Sequence, residues 1–115
     1  MEQMCKEIKR VMYAERPTLI VLEDVSYQRD AQALINLARL QGRILQMASE
    51  LGIPVVMYKP SAWRKAVGIH TGKGIKRQEL KKAAVALVLE QYGVEVTEDV
   101  AEAICIGKCA LLNLK

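Results

Sequence analysis

The sequence predicts the α/β fold class: two parallel strands with about five helices, in one domain spanning residues 1–115. Three observations carry that expectation. Two short, nearly continuous apolar runs, "TLIVLEDV" and "IPVVMY", have the pattern of parallel strands buried on both faces. A long segment of helical period lies between them, as a right-handed crossover requires. Everything after the second run reads as helix or glycine-rich loop.

Residues 2–16 read as the first helix, with Met4, Ile8, Val11 and Met12 at helical spacing and Pro17 as its stop. The first strand follows and ends in two acids, Glu23 and Asp24. From about Gln28 to Leu51 a long helix is expected, with Leu34, Leu37, Ala38, Leu45 and Ala48 as its stripe and Gly52 as its C-terminal cap. The second strand begins at a proline, where a missing N–H is tolerated. "PSAWRKAVG" reads as a short helix opened by Pro60 or Ser61, and "GIHTGKGI" as a loop. A basic helix over about 76–92 and a last helix from Thr97, its N-cap, to about Leu112 complete the chain. Two strands are few for such a sheet, so another segment or another chain is expected to complete it.

Composition narrows the function classes. No stretch approaches the ~18 apolar residues of a membrane span, and the charged start "MEQMCKEIKR" lacks the apolar core of a signal peptide, so a cytoplasmic protein without membrane association is expected. The three cysteines, Cys5, Cys105 and Cys109, read as small buried thiols, not as a disulfide framework. Cys105 and Cys109 are spaced to pair on a helix, but the sole histidine, His70, lies far off in a loop, which argues against zinc.

Net charge is +4, and its distribution says more than its size. Arg64, Lys65, Lys73, Lys76, Arg77, Lys81 and Lys82 fall within one stretch that holds a single acid, Glu79. Such a cluster suits a polyanion, nucleic acid foremost, although a merely solvated helix face has the same composition. The loop "GIHTGKG" invites comparison with a phosphate-binding loop and fails it. The spacing from Gly68 is one residue short, and Gly74 stands where a magnesium-binding hydroxyl is required.

The acids offer a second chemistry. Glu23 closes an apolar strand, where open α/β sheets place their ligand sites. Asp99 and Glu102 lie three apart at the start of the last helix and share a face. Clustered carboxylates are stabilised by a hard divalent cation. The same residues also fit a solvated strand end and acids favoured by a helix dipole, so both readings stand.

Three segments in register resemble the RuvC-type Holliday junction resolvases, of the RNase H-like superfamily. "LIVLEDVSYQRDAQALINLARLQGRIL" is similar to that family's second acidic motif and the helix after it. "IPVVMYKPSAWRKAVGIHTGKGIKRQEL" resembles its next strand and basic segment, and "EDVAEAICIGKCA" its closing acidic helix. The resemblance implies a partial RNase H-like fold. It also implies a Mg²⁺- or Mn²⁺-dependent endodeoxyribonuclease acting on branched DNA such as four-way junctions. Glu23, Asp99 and Glu102 match three of the family's four metal-binding acids, with Glu102 where many members carry Asp. The cations from Arg64 to Lys82 would grip phosphates, and Tyr27 would meet a base or remain a surface tyrosine. Trp63 reads as helix packing.

The family's opening glycine-rich strands, with its first catalytic Asp, have no counterpart before Glu23. Two expectations follow. The first strand should present an open edge that a second copy covers by strand pairing across a two-fold axis. The chain should then be either a nuclease, or part of one, or a DNA-binding and dimerising remnant that cannot cut.

Overall fold

The computed structural model describes residues 2–24 and 30–113. It contains, in order, α1 (Glu2–Glu15), β1 (Ile20–Glu23), α2 (Ala31–Leu51), β2 (Val55–Tyr58), α3 (Pro60–Ala66), α4 (Arg77–Tyr92) and α5 (Glu98–Asn113). These elements form two compact units, residues 1–57 and 58–115.

In the first unit local signals set the boundaries. α1 ends where Arg16 turns left-handed (φ 45°) ahead of Pro17, its N–H reaching Met12 O at 3.0 Å. Such a conformation costs a side-chain-bearing residue roughly 1–2 kcal/mol. Asp30 caps α2 by accepting from the Gln32 N–H at 3.0 Å. At the far end Gly52 takes φ 68°, and Ile53 N–H closes back onto Ala48 O at 2.9 Å. That is the glycine-dependent ending expected from the sequence. β1 and β2 are neighbours in a parallel, two-stranded sheet, anchored where Ile20 N–H meets Pro54 O at 3.0 Å.

The core of this unit is Met12, Ile44, Met47 and Ala48, with Ile8, Leu40, Leu51 and the strand residues Ile20, Leu22 and Val55 packed against it. Three expectations are corrected here. On α1 the buried residues are Cys5 and Met12, while Met4 and Val11 are exposed. On α2 the buried face runs through Ile44, Met47 and Ala48, and Leu37 and Leu45 of the anticipated stripe are exposed. The strands are half-buried and not enclosed on both faces; Glu23 and Met57 are exposed. One cause underlies all three. Two four-residue strands are too small to cover the apolar surface that α1 and a 21-residue α2 present.

In the second unit α3 and α4 both pack on α5. Ala84, Ala101 and Ala110 are buried at almost zero exposure, and such small side chains let helices approach closely. Trp63, Val88, Cys105 and Cys109 fill the space between them. Trp63 is wholly buried, which assigns it to packing, and truncating an indole so enclosed costs about 3–5 kcal/mol. Lys108 reaches Gln91 across the α4–α5 contact, and Asn113 donates to the Tyr58 hydroxyl at 3.2 Å. Thr97 starts α5 as expected: its carbonyl accepts from Ala101 and its hydroxyl from Val100.

Candidate functional site

In the first unit, Glu23 ends β1 with an exposed side chain, and its carbonyl accepts from Gln41 Nε2 of α2 at 2.6 Å. The strand's last residue is thereby tied to the crossover helix. Tyr27 lies outside the described residues.

In the second unit, the basic segment runs from α3 through a loop into α4. Lys65, Lys73, Lys76, Arg77 and Lys82 are exposed, and Lys81 is half-buried. Lys76 is the N-cap of α4, in extended geometry (φ −80°, ψ 154°), and its side chain makes no capping hydrogen bond. Two cations therefore stand at the positive end of a helix dipole, where charge of that sign is disfavoured. The loop before α4 is built around Gly68 (φ 90°) and Gly74 (φ 86°). A Cβ at Gly72 would sit 2.8 Å from His70 Nε2, so that glycine leaves room for the imidazole.

The acids of α5 have different surroundings. Asp99 is exposed in the first turn. Glu102, one turn on, is largely enclosed and accepts a hydrogen bond from Arg64 Nη2 of α3 at 3.2 Å. The Arg64 guanidinium also lies over the Trp63 ring, 4.9 Å from its centroid. Its Nε is buried with no hydrogen-bond partner. Thus the structure joins a residue expected to grip DNA to a residue expected to bind metal. Sequence reasoning missed that link because 38 positions separate the two.

Among the described residues, no three His, Cys, Asp or Glu side chains group closely enough to hold a metal ion. Asp99 and Glu102 are hard oxygen donors of the right kind for Mg²⁺ or Mn²⁺, but one carboxylate oxygen of Glu102 is already engaged. The thiols of Cys105 and Cys109 are held above their ordinary value by burial; Glu102 adds to the shift at Cys105 and Lys108 opposes it. Protonated, enclosed thiols are poor metal ligands. Among the described residues, no helix is long and apolar enough to cross a membrane.

Comparison with known proteins agrees with this architecture. The family model for crossover junction endodeoxyribonuclease RuvC matches residues 1–110. The protein of that description from Syntrophomonas wolfei is 27% identical over 109 residues, covering 95% of this chain and 62% of the relative. Its counterpart from Koribacter versatilis is 32% identical over 106 residues, covering 92% and 62%. Among solved structures, Thermus thermophilus RuvC in complex with Holliday junction substrate superposes with a TM-score of 0.70 at 18% identity, covering 91% of this chain and 61% of that one. This likeness establishes the RNase H-like α/β fold. The chain spans a little over 60% of the length of these relatives.

Proposed function

This chain belongs to the RuvC family, and we propose that it binds branched DNA through residues 64–82 and takes part in its metal-dependent cleavage. The observation that carries DNA binding is the uncapped, cation-bearing start of α4, where Lys76 and Arg77 sit against the helix dipole. Backbone N–H groups at such a terminus donate to a phosphate, and Lys65, Lys73, Lys81 and Lys82 add positive charge in the same segment. The solved relative bound to a Holliday junction supports a four-way junction as the substrate class.

For cleavage, Glu23, Asp99 and Glu102 would hold Mg²⁺ or Mn²⁺. The cation supplies an activated water and charge stabilisation on the leaving oxygen. Glu23 and Asp99 are exposed, and Glu102 would become available as a ligand when Arg64 releases it. A second reading has its own support. The engaged Glu102 favours a junction-binding protein that does not cut by itself. In either case a second copy is proposed to pair along the short two-stranded sheet, whose strands are only half-buried.

One experiment separates the readings. The chain and its Glu23→Gln variant are incubated with a four-way DNA junction in Mg²⁺ and in Mn²⁺, and the mass in solution is measured by light scattering. Cutting that Glu23→Gln abolishes establishes the nuclease. Salt-sensitive binding without cutting establishes the second reading, and absence of binding at low salt refutes both. A monomer mass at micromolar concentration refutes the pairing.

A further inference from the structure

The Arg64–Glu102 contact is neither a surface ion pair nor a fully built internal one. Both side chains are mostly enclosed, at 14% and 18% exposure, so screening by water is weak. Yet Arg64 uses only Nη2 on one oxygen at 3.2 Å, and forgoes the two-pronged geometry that makes such pairs strong. Its Nε is buried without a partner, which leaves a desolvation cost unrecovered. The guanidinium is held in place by the Trp63 ring beneath it as well as by the carboxylate. Among the described residues, the Glu102 carboxylate has no side-chain hydrogen bond besides the one from Arg64.

A carboxylate so enclosed requires a neighbouring positive charge, and here the protein supplies its own. A guanidinium and a divalent cation on one carboxylate repel each other, so the two compete for Glu102. We propose that Arg64 is an internal counter-ion that occupies Glu102 until a divalent cation displaces it, and so sets the metal concentration at which the acidic site fills. Arg64 acts through Glu102 and is a positioning residue. The inference rests on reading Glu102 as a metal ligand.

The test is Mn²⁺ binding to the whole chain, measured by calorimetry and by the electron-spin signal of free Mn²⁺, without DNA. Arg64→Met keeps the length of the stem over Trp63 and removes the charge. It is expected to tighten Mn²⁺ binding by about tenfold, the order implied by losing one charge-assisted hydrogen bond. Glu102→Gln is expected to weaken binding, and Arg64→Met combined with Glu102→Gln to behave as Glu102→Gln alone. A merely structural contact would give the opposite sign, with looser metal binding once Arg64 is removed. If Arg64→Met leaves affinity unchanged or lower while Glu102→Gln still weakens it, the counter-ion role is wrong and Glu102 remains a ligand. If Glu102→Gln binds Mn²⁺ as the parent does, the reading of Glu102 as a ligand fails. Circular dichroism monitors folding, and Arg64→Lys, which keeps the charge, is expected to fold with intermediate affinity. Failure of Arg64→Met to fold even in excess Mn²⁺ would make the pair structural and overturn the inference.

Discussion

Replacing Lys76 by Ser should make the protein more stable and a poorer DNA binder. Lys76 sits at the N-cap of α4 with the extended backbone that capping residues adopt, and contributes no cap bond. Its side chain is exposed, so no packing is lost on replacement. Serine at 76 would stand three residues before Glu79, completing a reciprocal capping box. The cap contributes about 1 kcal/mol, and removing a cation from the positive end of the dipole adds roughly 0.3–1 kcal/mol. Stability should therefore rise by about 1–2 kcal/mol, read from the urea midpoint followed by circular dichroism. If Lys76 holds one phosphate, the slope of log affinity against log salt should shrink by about 0.9. Binding near 0.1 M salt should then weaken about eightfold, read by fluorescence anisotropy on a labelled four-way junction. Greater stability with an unchanged salt slope would show that this helix terminus does not touch DNA. Lower stability would refute the account of the cap itself.

Two further outcomes are expected. Gly52→Ala should destabilise the first unit by about 1 kcal/mol; the left-handed φ alone is responsible, because nothing lies within 4 Å of the added Cβ. A urea midpoint unchanged from the parent would contradict this. Burial raises the Cys105 and Cys109 thiols above their ordinary 9.0, so the neutral forms belong to the fold. Their contribution is complete below that value and is lost as pH rises through the raised folded values. Urea midpoints should fall from about pH 8 to about pH 10, and Cys105→Ala with Cys109→Ala should flatten the fall; an equally steep fall in that variant would assign it elsewhere.

Local chemistry made many boundaries readable from sequence. Pro17, Gly52, Pro60 and Thr97 each end or begin an element as their backbone preferences require. Periodicity was less complete. It marks an apolar face on α2 but not which part of that face finds a cover, so Leu37 and Leu45 were expected inside and are exposed. The same limit applies to β1 and β2, whose apolar runs imply enclosure that so small a sheet does not give. At the site, cation clustering and the spacing of Asp99 and Glu102 are properties of adjacent residues and could be read directly. The Arg64–Glu102 pair depends on how α3 meets α5, and no local pattern encodes that.

Trp63 has a consequence beyond packing. It is the only tryptophan in the chain, it is sealed from water, and a guanidinium rests on its indole face. Indole emission responds to a charge at that distance, so the second unit carries its own fluorophore at the place where Arg64 chooses between Glu102 and departure. Titrating an unlabelled sample with Mn²⁺ or with junction DNA would turn movement of one side chain into a change in colour.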